Sequence, residues 1–341
     1  MNTLFLTQND AMQIAMQHLD EKSVDVKSMI SDLGIDCEIY EGKVSTCLYG
    51  PNIKDHTGRP LRIMIRTPRI STHDKGRGTI PKKGEVLALN HNFMRKSLAK
   101  VLPHAQFEDL GIKDNAVVTV SENLRPIMLE FVMRTYNAYT TTDTSLYVHH
   151  KKGERVFCGH KLRDDLIPNC VLPNLIDTPS TKEGKDRSMS AKELIEMGIC
   201  TEAQYDVMND MGRTSYRIVE AILEFKDIIL ADTKIEFGVN HEGQILAMDE
   251  LYTMDSSRFW PVENWKKALG KEETVLSWSK EFARAFSKGN EPYTDEERAL
   301  ISARYMLGIQ ELTGEPFIPD PRPFEQKVRE ELEYILNTYL K

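Results

Sequence analysis

From Ala231 to Leu251 polar and apolar residues follow the two-residue period of an extended chain. On that period Asp232, Lys234 and Glu236 point to one side while Thr233, Ile235 and Phe237 point to the other. One face is chemical and the other is core. Asn240-His241-Glu242-Gly243 reads as a turn, so the run from Gln244 to Leu251 returns as the second strand of a hairpin and carries Asp249 and Glu250 beside the first. Asp255-Ser256-Ser257-Arg258 then reads as a loop leaving the sheet.

Elsewhere the pattern gives a β-rich front and a helix-rich back. Residues 8 to 32 read as one or two amphipathic helices, with Met12, Ile14, Met16 and Leu19 among the apolar positions. The runs CEIY, STCLY and LRIMIR, broken by Gly50-Pro51, Gly58 and Pro60, predict a meander from Cys37 to Arg69. A connector rich in Lys, Arg and Gly over 75 to 84, a helix over Ala88 to Val101 and strands near 116 to 120 and 126 to 134 follow. Ser190 with Glu193, and Thr201 with Gln204, are capping boxes that start two helices. The second is expected to break or restart near Gly212 before the stripe Ile218, Ile222, Phe225 and Ile229. Thr294 with Glu297 caps a helix ending at Gly314, and a Pro-rich stretch leads to a last helix with Phe324, Val328, Leu332, Ile335 and Tyr339 on one side. These stripes read as core or as an oligomer face.

Composition narrows the function classes. At 341 residues the chain supports about two lobes with a large core. A net charge of −8 argues against a nucleic-acid surface, which needs basic patches to displace counterions. The opening MNTLFLTQND has a short apolar run without a basic flank, and no later run reaches the length of a membrane span, so a cytoplasmic protein is expected. Five cysteines read as free thiols. Cys158-Gly159-His160 with Cys170 has irregular spacing and no evident fourth ligand, which disfavours zinc.

The chemistry concentrates in the hairpin. Six acidic side chains, Lys234 and Arg258 lie between Ala231 and Trp260, as a site for a metal nucleotide and an anionic substrate would require; magnesium takes oxygen ligands of this kind, and Arg258 suits a phosphate. The same residues also read as ion pairs on a solvated hairpin, Asp232 with Lys234 and Asp255 with Arg258. There is no Walker A motif, dinucleotide fingerprint or nucleophile elbow, and Gly76-Arg77-Gly78 is too short to count. Bound ATP would therefore need a β-hairpin clamp. Lys43, after Gly42, suits it, although alone it reads equally as a surface lysine at a turn.

At these residues the chain resembles the SAICAR synthetase family, whose hairpin reads close to DTKFEFG, a turn, hydrophobics, DE and PDSSRFW. The resemblance extends to LPNLIDTPSTKEGKDRSMS at 172 to 190, similar to the family's PEPIFTPSTK loop, to TPRISTHD at 67 to 74 and to IPKKG at 80 to 84. EGKV at 41 to 44, LEFVMR at 129 to 134 and YMLGIQELTG at 305 to 314 also match. It covers about Tyr40 to Gly314.

The resemblance implies an α+β, two-lobe fold, with an N-terminal lobe similar to the nucleotide lobe of kinases and ATP between the lobes. The expected division is a helical extension at 1–36, a nucleotide-binding lobe at 37–125 and a substrate and metal lobe at 126–341. It implies a ligase that joins carboxyaminoimidazole ribotide to L-aspartate with cleavage of ATP to ADP and phosphate, using magnesium; a homo-oligomer stays open. Residue by residue, it implies Lys43, Lys234 and Glu236 for ATP, and Glu236 and Asp249 for magnesium. Arg134, Thr140 and Arg258 would hold the ribotide phosphate with support from Ser257, and Asp232 and Glu130 would face the imidazole end or its metal. Asp232, Lys234 and Asp249 would carry the chemistry. Asp74 and Lys83 would lie near the substrates, and Ser180-Thr181-Lys182 through Asp186 would close over aspartate.

Three departures stand out. Ser45 replaces a second basic residue after GKV. The family's Arg-Gly-Tyr-x-x-Gly-Ser becomes Arg134-Thr135-Tyr136-Asn137-Ala138-Tyr139-Thr140, without either glycine. Lys185-Asp186-Arg187 replaces His-Asp-Glu. The rival readings are an ATP-using enzyme of the same architecture with another acceptor, such as an inositol-phosphate kinase, and a nucleotide-binding regulatory protein without turnover.

Overall fold

Local sequence signals start most helices. In the structure, a computed structural model that describes residues 4–72, 75–107, 113–182, 187–286 and 291–340, Thr7 and Asp10 form a capping box on α1 (Gln8–Gln17) and Asp25 caps α2 (Val26–Asp32). Strands β1 (Glu38–Glu41), β2 (Ser45–Tyr49) and β3 (Leu61–Arg66) form the expected antiparallel meander. β4 (Arg69–Thr72) and β5 (Lys75–Thr79) pair as a separate ribbon, so the basic, Gly-containing stretch is partly strand rather than connector. Helix α3 (Lys83–Leu98) begins earlier than expected, after the turn at Pro81-Lys82, and β6 (Val118–Glu122) then joins β3.

A seven-stranded sheet follows. β7 (Arg125–Pro126) and β8 (Leu129–Tyr136) precede α4 (Leu146–Lys151), the ribbon β9 (Val156–Phe157) and β10 (His160–Lys161), then β11 (Val171–Asp177) and β12 (Ser180–Thr181). After α5 (Ala191–Glu196) and α6 (Glu202–Glu224) come β13 (Ile228–Val239), β14 (Ile245–Met248), β15 (Ser257–Pro261) and α7 (Val262–Ala268). The order is β11-β8-β13-β14, with β12 added to β8, and β7 and β15 to β13. Both expected capping boxes are present, on α5 and α6. Helix α6 does not break at Gly212: a Cβ there would lie 3.1 Å from the Phe131 ring. That glycine allows close packing of helix on sheet. Phe131, Met133, Ile235 and Phe237 are buried, and Phe131 meets the rings of Tyr205 and Phe237.

The chain ends in α8 (Glu281–Arg284), α9 (Asp295–Thr313) and α10 (Phe324–Tyr339). Thr294 caps α9, and Gly314, at φ 78°, ends it in the left-handed conformation glycine adopts without strain. Helix α10 lays Phe324, Val328, Leu332 and Ile335 into one core with Leu48, Ile63, Ile65, Val118 and Val120. The chain divides into two compact units, Met1–Lys96 with Ala105–Asn123 and Phe282–Lys341, and Ser97–His104 with Leu124–Glu281. The last helices therefore belong with the first unit, whereas the expected boundaries group them with the second lobe.

A buried ionic network backs α10. Lys327 Nζ donates to Asn115 O at 2.9 Å and lies 3.5 Å from Glu85 Oε2, 3.9 Å from Asp320 Oδ2 and 4.0 Å from Glu331 Oε1. Lys82 Nζ lies 3.2 Å from Glu85 Oε1 and 3.8 Å from Glu21 Oε2. Burial pushes Glu21 and Glu331 up from 4.5 to about 7, despite the nearby ammoniums. An acid whose folded pKa is raised contributes stability that is complete below its unfolded pKa and is lost as pH rises to the folded value. Stability carried by Glu21 should therefore decline between pH 4.5 and 7, by up to about 3 kcal/mol. In urea titrations across that window, Glu21→Gln should flatten the decline; parallel profiles for the two proteins would contradict it.

Candidate active site

Strand register decides which side chains share the polar face. Asp232 is paired with Arg134 across β13 and β8, and with Arg258 across β13 and β15, so an Arg-Asp-Arg row crosses three strands. Asp232 Oδ2 lies 3.5 Å from Arg134 Nη1, and its Oδ1 lies 3.5 Å from Arg258 Nε. Arg258 also has Glu281 Oε2 at 3.9 Å, and Arg134 Nε donates to Thr178 Oγ1 at 2.8 Å. Two residues along β13, Lys234 Nζ donates to Glu130 Oε1 at 2.9 Å and to Glu236 Oε1 at 2.6 Å. Lys182 Nζ pairs with Glu236 Oε2. Ser180, opposite Glu130 in the β12–β8 pairing, donates to Glu130 Oε2 at 3.5 Å.

The electrostatics follow from this packing. Burial works to raise the Glu236 carboxyl, but the Lys234 and Lys182 ammoniums overcome it and hold the group at about 2. Burial works to lower Lys234, and the carboxylates of Glu236 and Glu130 more than reverse it, so the amine stays charged. Asp249 behaves oppositely: burial, then the charges of Glu236 and Glu250, push it up to about 6. Arg258 is raised against burial by Asp232 and Glu281, whereas burial lowers Arg134 despite Asp232. The face thus holds cations tightly fixed by carboxylates, with one acid at Asp249 short of positive charge.

Not every residue named from sequence lies on that face. Ser257 and Arg258 are on strand β15, not in a loop, because residues 257 to 261 pair with β13. The Ser257 hydroxyl therefore turns to the opposite face, 2.8 Å from Thr233 Oγ1 and buried. The ion pairs are also not those of a solvated hairpin: Lys234 binds Glu130 and Glu236, Arg258 faces Asp232 and Glu281, and Asp255 lies 3.6 Å from Lys280 Nζ. Glu250 accepts from Thr253 Oγ1 at 2.7 Å. Thr140 is buried, its Oγ1 accepting from Thr142 N at 3.2 Å.

The missing glycines are accommodated. Neither Thr135 nor Tyr139 has a positive φ, so neither position requires glycine. Tyr139 N donates to Asn169 Oδ1 at 2.9 Å and its ring sits edge-on to Tyr147, while the Thr135 hydroxyl lies 2.9 Å from Tyr216 Oη. In the first unit, Lys43 is exposed on a turn closed by Gly42 N donating to Ser45 O at 2.8 Å. Lys83 is buried in the first turn of α3, its ammonium 5.9 Å from the Tyr305 ring centroid. Asp74 and Asp186 lie outside the described residues. His160 Nε2 donates to Asp177 O at 2.9 Å, and no set of three metal-binding side chains converges among the described residues.

Sequence reasoning missed three contributors. Thr178, inside the TPSTK run, fixes Arg134. Arg69, inside TPRIST, braces the Lys43 turn by donating from Nη2 to Gly42 O at 3.0 Å and Ser45 O at 2.9 Å. Both lie in motifs whose resemblance points to their neighbours instead. Glu281 carries no local signal.

The model of the family described as SAICAR synthetase matches residues 38–300. The chain belongs to the SAICAR synthetase family. The chloroplastic phosphoribosylaminoimidazole-succinocarboxamide synthase of Arabidopsis thaliana is 31% identical over 78% of this chain and 66% of that protein, so the chain spans just under two thirds of its length. Among solved structures, a SAICAR synthase from Saccharomyces cerevisiae complexed with SAICAR is similar with a TM-score of 0.68 at 23% identity, covering 83% of this chain and 97% of that one. A type-2 SAICAR synthetase in complex with ADP is similar with a TM-score of 0.60 at 22% identity, covering 83% and 100%. These likenesses establish the SAICAR synthetase fold, α+β with antiparallel sheets.

Proposed function

We propose that this chain joins the carboxylate of carboxyaminoimidazole ribotide to the amine of L-aspartate, with ATP cleaved to ADP and phosphate. The observation that carries it is the single sheet face on which the Arg134, Asp232 and Arg258 row adjoins Lys182, Lys234, Glu130 and Glu236. A carboxylate is a poor electrophile, and phosphorylation supplies a leaving group. The ribotide carboxylate oxygen attacks the γ-phosphorus and ADP departs. The aspartate amine then attacks the acyl carbon, phosphate leaves with the original carboxylate oxygen, and the amine loses its proton.

The face supports positioning and charge neutralisation rather than nucleophilic attack by protein. Arg134 and Arg258 hold the ribotide phosphate, and Asp232 fixes both guanidiniums while facing the imidazole amine. Lys234 neutralises ATP phosphates, and Lys182, with Ser180 and Thr181 in the adjoining segment, stands on the aspartate side, where exclusion of water protects the acyl phosphate. Magnesium takes one or two carboxylates together with substrate phosphates. Glu236 and Asp249 fit that donor set, since a cation beside them would offset the burial and the neighbouring carboxylate charges that push Asp249 up to about 6. When bound there, it would screen the phosphate charges. No helix among the described residues is long and apolar enough to cross a membrane, and the cytoplasm is the proposed location.

ADP release with magnesium-ATP, ribotide and L-aspartate, omitting each in turn, tests the reading. ADP that needs both co-substrates, with a succinocarboxamide product by mass, supports it; binding of ATP without such release contradicts it. Arg258→Ala should raise the ribotide KM roughly 30-fold, equivalent to about 2 kcal/mol at a desolvated charge contact, with a smaller change in kcat. An unchanged KM would remove Arg258 from the ribotide site.

A further inference from the structure

Behind the polar face lies a second cluster that the proposed chemistry does not use. Asp177, at the end of β11, is 6% exposed. Its carboxylate accepts from the Tyr205 hydroxyl and from Arg213 Nη2 at 2.8 Å, and lies 3.3 Å from His160 Nε2. His160 also donates to the Asp177 carbonyl at 2.9 Å, and Arg213 Nη1 to Leu175 O at 2.9 Å. The strand end is therefore clamped at both side chain and backbone. The next residue is Thr178, whose N–H donates to Val132 O at 2.7 Å and whose hydroxyl accepts from Arg134. Where the family motif quoted above has Phe, this chain has Asp177.

We infer that Asp177, held by Tyr205, Arg213 and His160, is a positioning residue that sets Thr178 against Arg134, and that the charge on His160 tightens this setting below neutral pH. The inference rests on the ribotide role proposed for Arg134. The groups facing His160 are Asp177 from β11 and Arg213 from α6; Tyr205 of α6 reaches the same carboxylate. Cys158, on the β9–β10 turn beside His160, is influenced by Arg134 of β8, by Asp177 and by Glu193 of α5. The hydrogen bond to Asp177 raises His160 above its ordinary value, so the imidazolium persists at a pH where a free histidine is neutral. Asp177 is held at about 2 against burial, chiefly by His160 and Tyr205, and stays ionised throughout.

His160→Gln keeps an N–H donor but never a charge. In ligand-free protein, amide exchange of the peptide spanning Leu175 to Lys182 should be about fivefold faster in the variant at pH 6 and equal to the parent at pH 8.5, the low end of ordinary coupling between sites. The ribotide KM should follow the same pattern, raised at pH 6 only, with kcat unchanged. Because parent and variant are compared at each pH, titration of the ribotide phosphate cancels. Equal exchange at both pH values, or the same difference at both, overturns the inference. If the parent shows no ribotide turnover, the functional reading fails, and the exchange measurement still decides whether His160 positions this segment.

Discussion

Asp249→Asn should abolish most turnover while leaving the fold at least as stable as before. Asp249 is nearly isosteric with asparagine, and its φ of 63° is one that asparagine tolerates. Loss of the magnesium ligand proposed for Asp249 should lower kcat by about 10²- to 10³-fold. The stability sign is opposite. Asp249 is pushed up to about 6, so ionising it costs the folded state more as pH rises through that value. At pH 8 the neutral variant should melt no lower than the parent. Near-normal kcat, or a fall in melting temperature matching the loss of activity, would show that Asp249 serves the fold instead.

Lys327→Met should be the most damaging single change to stability. The Lys327 side chain is 1% exposed and lies within 4.0 Å of carboxylate oxygens on Glu85, Asp320 and Glu331. Methionine restores the apolar stem but leaves those buried acids without their shared cation. Breaking a buried ion pair from one side costs about 3–5 kcal/mol, and urea unfolding should show that loss without a large change in slope. A loss below about 1 kcal/mol would mean that Lys82, beside Glu85, and Arg322, whose Nη2 lies 2.6 Å from Asp320 Oδ2, suffice for the network.

The sequence was legible where local rules decide. The alternation in Asp232 to Phe237, the four-residue turn Asn240-His241-Glu242-Gly243 and the capping boxes on α5, α6 and α9 all depend on neighbours within a few positions, and the structure shows each of them. The juxtaposition of Arg134, Asp232, Lys234 and Arg258 came through motif resemblance, because no local rule says which strands lie beside β13. What was not legible depended on tertiary packing. Gly212 reads as a break until Phe131 is found against it. Ser257 reads as a site hydroxyl until pairing of β15 with β13 turns it to Thr233. The last helix reads as either core or interface until α10 is placed on β6. The lost glycines at 135 and 139 looked damaging because the family pattern suggested a tight turn, yet the backbone there is not left-handed.

The regulatory reading weakens on the same grounds. Decay of a chain that had lost turnover would be expected to reach these residues, yet Asp232 pairs with Arg258, and Glu236 with Lys234 and Lys182, on one sheet face.

Activation of the ribotide carboxylate as an acyl phosphate predicts the fate of a carboxylate oxygen. The most direct measurement supplies ribotide labelled with oxygen-18 in its carboxylate, together with ATP and L-aspartate, and weighs the phosphate released. One labelled oxygen in each phosphate, formed only with aspartate present and matched by succinocarboxamide product, is the predicted result. Product accompanied by unlabelled phosphate would contradict the account.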